Sequence, residues 1–266
     1  MPHEDPPVPP GVNPEIPSAA RIYDLLLGGR DNYPSDRQAV EEMKRVYPDS
    51  GEGAARGNRA WLIRAVRYLA GAGIDQFLDL GTGLPTQENV HEVAQSIVPG
   101  SRVMYVDNDP SVIAHGRALL AGTTVIMLEG DLADPDSILR AAREHLDFSR
   151  PVAVLFSAVF HFISDEQSPS RIVATFEDAV CSGSHIAISH FTSDILEEAD
   201  DLAREYSSRV SASLHPRPYD EVTKLFAGLE MVEPGLVYVN QWRPPEGVEL
   251  GHPTTAPIYG GVGRKP

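Results

Sequence analysis

Between residues 76 and 191, apolar runs of strand length alternate with amphipathic runs of helix length, and this alternation constrains the fold more than any other feature. The runs that predict strands are QFLDLG (76–81), RVMYVDND (102–109), TTVIMLEGD (123–131), PVAVLFSAVFHF (151–162) and SHIAISHF (184–191). Between them, TQENVHEVAQSI, PSVIAHGRALLA, PDSILRAAREHL and SPSRIVATFEDAV carry apolar residues at helical spacing. Near-continuous apolar strands suit a parallel sheet covered on both faces. Strand, helix and parallel strand in succession close by a right-handed crossover, so a doubly wound α/β fold is expected. The length agrees, because 266 residues with 42% hydrophobic content suffice for one large domain.

The flanks divide the rest. Residues 1–17 contain seven prolines and no apolar stripe, which predicts a disordered arm. They lack the apolar region of a signal peptide, and no run of the chain approaches the roughly 20 apolar residues of a membrane span. Residues 18–72 predict an N-terminal helical cap or lid. SAARIYDLLLGG has Ser18 as N-cap, Ile22, Leu25 and Leu26 as its apolar face, and a Gly28-Gly29 stop. NRAWLIRAVRYLAGAG is a second helix, with Asn58 read as its N-cap, a site role being the alternative, and Trp61, Leu62, Ala65, Val66 and Leu69 on one face. Residues 73–266 form the binding domain, with a helical insertion at about 193–227. In that insertion Ile195, Ala199, Leu202 and Tyr206 make a stripe on a polar helix, and YDEVTKLFAG makes a shorter one. EMVEPGLVYVNQW and APIYGGVGRK predict two closing antiparallel strands, the glycine-rich second one at an end or edge.

In open α/β sheets, ligands sit beyond the carboxyl ends of the strands. Here those ends read DLGTG, VDND, EGDL and FSAVFHF. Gly81 and Gly83 let backbone approach a ligand closely. A dinucleotide loop reads G-x-G-x-x-G, but the third position here is Thr86. A pyrophosphate wants N–H donors free of negative side chains. Asp79 precedes this turn, and Pro85 has no N–H. The loop therefore suits a ligand with cationic groups, such as S-adenosylmethionine with its ammonium and sulfonium. Asp79 would attract that positive end, and Asp107, beside Asn108, would accept from the ribose hydroxyls. Asp131 would accept from the adenine amino group, with the Leu132 N–H on a ring nitrogen. A NAD site and a scaffold without ligand remain as alternatives, in which the glycines merely form a tight turn and Asp131 caps a helix or sits in a solvated turn.

DLGTG, VDNDP and EGDL resemble motif I, the post-I acid and motif II of class I methyltransferases. ARIYDLLLGGRDNYPSD, ENVHEVAQ, VDNDPSVIAHGRALL, DLADPDSIL and LVYVNQWRP narrow this further. Together they resemble an actinobacterial S-adenosyl methyltransferase family first catalogued as a domain of unknown function. The resemblance spans about residues 18–264, and LLGGRDNY is its most specific part. It implies a Rossmann-like, seven-stranded, mostly parallel sheet with an N-terminal helical lid. It also implies S-adenosyl-L-methionine as cofactor, with S-adenosyl-L-homocysteine as product. Carried by this resemblance, LLGGRDNYPSD is expected to form the lid, with Arg30 on the cofactor carboxylate, Asn32 beside it and Tyr33 walling the methyl site. The alternative for that cluster is an exposed polar loop.

Methyl transfer needs positioning and water exclusion, and a base only where the acceptor is protonated. His161, just after the fourth strand, is the leading base candidate, with a packed histidine as the alternative and His190 ranking below it. Ser157 and Ala158 are expected to line the cofactor through backbone. No cluster has metal-ligand spacing, and no serine sits in a nucleophile elbow. The single cysteine, Cys181, reads as a packed thiol and suits a reducing cytoplasm. The net charge of −16 opposes nucleic-acid binding and favours a small-molecule acceptor. No feature specifies an oligomeric state. A regulatory protein that binds the cofactor without turnover is the alternative function.

Overall fold

In the computed structural model, which describes residues 5–46, 51–85, 88–120, 125–195, 199–247 and 251–266, the five predicted strands form one sheet. They are β1 (Gln76–Leu80), β2 (Arg102–Asp107), β3 (Ile126–Glu129), β4 (Ala153–Ser157) and β5 (His185–Phe191). All five are parallel, and β1, β4 and β5 are buried almost throughout. Side chains alternate between the two faces, as the pleat requires. Phe77, Tyr105 and Leu155 join a core with Trp61 and Leu69, whereas Leu78, Met104 and Phe156 join one with Ile138 and Phe176. The helices that supply these covers are α3 (Gly51–Gly71) and α4 (Val90–Ile97) on one face, and α6 (Pro135–Ala142) and α7 (Pro169–Ala179) on the other. Thr86 and Thr123–Thr124, at the starts of a predicted helix and a predicted strand, lie outside the described residues.

Among the described residues the sheet has eight strands rather than the expected seven, in the order β3-β2-β1-β4-β5-β8-β6, where β6 is Glu230–Met231 and β8 is Ile258–Arg264, with β7 (Val237–Tyr238) also on β8. The segment 230–242 does not make one strand, because Pro234-Gly235 interrupts it with a turn closed by the Gly235 N–H on the Val232 carbonyl (2.8 Å). It leaves β6 (Glu230–Met231) and β7 (Val237–Tyr238), each antiparallel to β8 (Ile258–Arg264). The glycine-rich β8 is therefore no edge strand, since it runs between β5 and these two pieces. Its glycines serve close covering: a Cβ on Gly260 would stand 2.7 Å from the Trp61 indole nitrogen.

The N-terminal cap comprises α1 (Ala19–Leu26), α2 (Pro34–Val46) and the first turns of α3. The sequence patterns above do not include α2. Its anchor is Asp36, fully buried, which accepts from Arg21 Nε (2.8 Å), the Tyr33 N–H (2.8 Å) and the Ser18 N–H (3.0 Å). Ser18 also donates to Asp109, and Arg21 to Ser111 (3.2 Å), which ties the cap to the loop after β2. Residues 5–17 carry no helix or strand, yet polar contacts fasten them to the cap. The Tyr33 hydroxyl donates to the Pro7 carbonyl (3.2 Å), and Arg21 to the Asn13 carbonyl (3.5 Å). A third cluster, Ile22, Ala39, Val40, Tyr206 and Val210, joins the cap to α8 (Ala199–Arg209). Two elements complete the fold, α5 (Pro110–Leu119) and α9 (Tyr219–Lys224).

Candidate functional site

Strand order reverses at β1: β2 and β3 lie on one side of it, β4 and β5 on the other. Loops that leave the carboxyl ends of β1 and β4 diverge there and open a crevice. The crevice is the mouth of a cavity of about 820 Å³ between the strand ends and the cap.

At the end of β1, Asp79 is buried and, among the described residues, accepts one hydrogen bond, from Thr82 Oγ1 (3.1 Å). Burial pushes its carboxyl up to about 7, against the pull of the Thr82 hydroxyl and the Arg59 charge. The chain then turns through Gly81 (φ +70°) and Gly83 (φ +69°). A Cβ on Gly81 would strike Val159 at 2.4 Å, whereas one on Gly83 would meet nothing within 4 Å. Gly81 is thus required for packing, and Gly83 keeps a backbone edge bare on the cavity wall.

Asp107, at the end of β2, accepts from the Gly83 N–H (2.9 Å) and the Asp109 N–H (2.9 Å). Burial raises its pKa, and these backbone donors oppose the rise. One carboxylate thereby couples the first two strand ends. Asn108 is exposed beside it, and the exposed Asp131 turns on itself through the Ala133 N–H (2.9 Å), with Leu132 buried behind it.

After β4, Ser157 Oγ accepts from Asn58 Nδ2 (3.1 Å), and Ala158 holds φ +55° with its N–H on Ser189 Oγ (2.9 Å). A non-glycine residue in that region is uncommon and marks a locally strained loop end. Ser189 Oγ also donates to Asn58 Oδ1 (2.5 Å), and Asn58 Nδ2 reaches the Tyr23 hydroxyl (2.9 Å). Asn58 lies inside α3, not at its start, so its expected role as N-cap is overturned: α3 begins seven residues earlier. It ties the cap to β4 and β5, and it lines the cavity with Tyr23 and Arg59.

His161 is buried in the helical turn Phe160–Phe162 and also lines the cavity. Its Nδ1 accepts the Phe191 N–H (3.3 Å), which places the proton on Nε2. Burial, His190, Arg217 and His215 all hold its pKa well below the ordinary imidazole value. His161 therefore offers a donor rather than the lone pair expected of a base. Arg217 pins this turn by donating to the Phe160 carbonyl (2.9 Å), the Ile163 carbonyl (2.7 Å) and Asp165 (2.7 Å). It also donates to His190 Nε2 (2.9 Å), whose pKa burial pushes down to about 3.

The structure brings Asp79, Gly81, Gly83, Asp107, Asn108, Asp131, Leu132, Ser157, Ala158 and His161 to one cavity. It places Arg30, Asn32 and Tyr33 outside that lining. Arg30 is exposed, Asn32 is bonded to the Gly29 carbonyl (3.2 Å) and to Arg37 (3.1 Å), and Tyr33 lies under Arg21. The polarity of Asn32 and Tyr33 serves the cap. Tyr23, Arg59 and His215 also line the cavity, and no local pattern in the sequence gives them a role there. Among the described residues no cluster of His, Cys, Asp or Glu can hold a metal, and no helix is long and apolar enough to cross a membrane.

With this geometry in place, comparison with known proteins is informative. The profile of a family described as S-adenosyl methyltransferase matches residues 8–266. A proposed methyltransferase of Thermobifida fusca is 40% identical, with a TM-score of 0.90 over 96% of this chain and 97% of that one. A DUF574 family protein of Streptomyces avermitilis is 43% identical, with a TM-score of 0.88 over 95% and 98%. A SAM-dependent methyltransferase of Anabaena variabilis shares the fold alone, at 11% identity and a TM-score of 0.55 over 99% and 100%. Among curated proteins, none matches the chain.

Proposed function

This chain belongs to the S-adenosyl methyltransferase family, and from that premise we propose how its own residues hold the cofactor and admit a small-molecule acceptor. The protein is an S-adenosylmethionine-dependent methyltransferase with a Rossmann-like fold. The observation that carries the site assignment is the convergence of Asp79, Asp107 and Asp131 from three strand ends on one cavity. The residues fit the group. Asp79 is a buried carboxyl with a single side-chain donor, poised for a cation, and Gly83 leaves the wall bare where a Cβ would project.

In this reading Asp79 takes the ammonium, Asp107 the ribose hydroxyls, and Asp131 with the Leu132 N–H the adenine. Arg59 faces the carboxylate in place of Arg30, because its charge already acts on Asp79 and it lines the cavity. Ser157 and Ala158 close the β4 side. Bound there, S-adenosylmethionine supplies an electrophilic methyl group on a sulfonium. The cap excludes water from that group, which preserves the charge contrast on which transfer depends. His161 holds its proton on Nε2 and orients the acceptor. The reducing cytoplasm, a small-molecule acceptor and the absence of nucleic-acid and membrane partners belong to the same proposal. Their support is the free Cys181, the charge of −16 and the enclosure of the cavity by the cap.

Asp107→Ala tests the assignment. Loss of charge-assisted bonds worth about 1.5–3 kcal/mol each is expected to weaken S-adenosylmethionine by roughly ten- to hundredfold or more in calorimetry. Wild-type affinity in a folded Asp107→Ala protein would remove the ribose role.

A further inference from the structure

Beyond the strand ends the cavity continues into the cap, and this inner part differs from the two sheet cores. Ile22, Val40 and Tyr206 belong to the cap cluster, and Leu26, Met43 and Phe162 pack against it, yet all six also line the cavity. An apolar cluster that surrounds open space lacks contact partners on its inner side, and apolar atoms placed there recover them.

Charge is distributed unevenly along the wall. Among the described residues, the acids of the lining are Asp79, Asp107, Asp109 and Asp131, all at the ends of β1, β2 and β3. None comes from α1, α2, α8 or the segment 211–215. Among the described residues the cations of the lining are Lys44, paired with Glu41 (3.7 Å) and Glu52 (3.4 Å), and Arg59, which donates to the Glu88 carbonyl (2.9 Å) and acts on Asp79 at the strand ends. A cationic guest would find no counter-charge in this chamber, and an anionic one only a lysine that two glutamates already hold, since Arg59 is given to the cofactor carboxylate. Either would give up hydration without a partner.

The uncharged polar residues of the wall include Ser164, Gln167, Ser211 and Ser213, and one corner joins two imidazoles. His161 presents its Nε2 proton, and the His215 backbone N–H binds the His161 carbonyl (2.7 Å). The His215 ring lines the cavity and makes no hydrogen bond among the described residues. Beside them the Phe162 and Tyr206 rings stack at 5.8 Å between centroids.

We propose that the methyl acceptor is an uncharged, ring-bearing apolar molecule, seated between α1, α2 and α8, with its one hydroxyl or amine group at the His161–His215 corner. This rests on the methyltransferase reading of the same cavity. His161 Nε2–H donates to the acceptor's heteroatom, and His215 accepts its proton.

The test uses the full chain saturated with S-adenosylhomocysteine and three probes with one ring frame: 2-naphthol, 2-naphthoate and 2-naphthylmethylammonium. Calorimetry is expected to show 2-naphthol bound at least about tenfold more tightly than either charged analogue. Met43→Glu, which places a carboxylate in the chamber, is expected to shift the preference toward the ammonium by about tenfold while S-adenosylhomocysteine still binds. Equal or tighter binding of a charged probe overturns the proposal. So does no binding of any probe to protein that holds S-adenosylhomocysteine. Failure to bind S-adenosylhomocysteine at all overturns the methyltransferase site itself, and the two failures are thereby told apart.

Discussion

At the scale of single residues, Asp79 carries the sharpest consequence. Its carboxyl keeps a proton up to about pH 7 in the folded protein, whereas in the unfolded chain it releases the proton near its ordinary value of 3.8. The native state thus binds more protons between those values. The resulting stabilisation is full below about pH 4 and is lost as pH rises toward about 7. A cationic group bound against Asp79 must expel this proton. Titration with S-adenosylmethionine at about pH 6 is therefore expected to release close to one proton, and at about pH 8 close to none. Calorimetry in two buffers of different ionisation enthalpy measures it, and no release at the lower pH would detach Asp79 from the ammonium. Gly81 gives a second prediction. Alanine there takes a strained backbone and meets Val159, whose branched side chain has little freedom to move. Gly81→Ala is expected to cost about 1–3 kcal/mol and to weaken the cofactor by displacing the loop. Thermal unfolding alongside titration checks both, and unchanged values would show that the turn tolerates a Cβ.

At the scale of elements, the cap is held by a buried ion pair rather than by a large core. Arg21 and Asp36 are both almost fully buried, at 2.8 Å. Removing one partner leaves a buried charge unmatched, so Asp36→Ala is expected to cost about 3–5 kcal/mol. Local opening follows packing, so hydrogen exchange should accelerate in α1 and α2 while β1, β4 and β5 stay protected. Uniform acceleration, or none, would mean that cap and sheet do not open separately. Elements also show how much was legible in the sequence. The five parallel strands were legible because each is a short, mostly apolar run between helical patterns, even where polar residues such as Asp79 and His190 stand near a strand end. The acids at their ends were legible because strand ends fall at fixed places in the alternation. The segment 30–33 misled, since Asn32 and Tyr33 look like site residues but spend their polarity inside the cap. Asn58 was read as a cap ahead of a site role because a helix interior and an N-cap share the same local residues, and only the length of α3 distinguishes them. The role of His215 and the place of β8 inside the sheet needed long-range contacts, which no local period carries.

At the scale of the whole molecule, one sheet organises two chemically different halves of a single cavity. The strand ends bring acids and a bare backbone edge to one half, and the cap closes the other with apolar side chains. The chain supplies no basic cradle on the loop after β1, where a pyrophosphate would need one, because Asp79 stands there and Pro85 lacks an N–H. Choice of cofactor therefore tests the assignment most directly. Calorimetric titration of the intact protein with S-adenosylmethionine and, separately, with NAD decides it, and a thermal shift checks it through linkage. S-adenosylmethionine is expected to bind at one site per chain and to raise the unfolding temperature, with NAD giving neither effect. Binding of NAD at that site, or no binding of S-adenosylmethionine by the folded protein, would contradict the assignment.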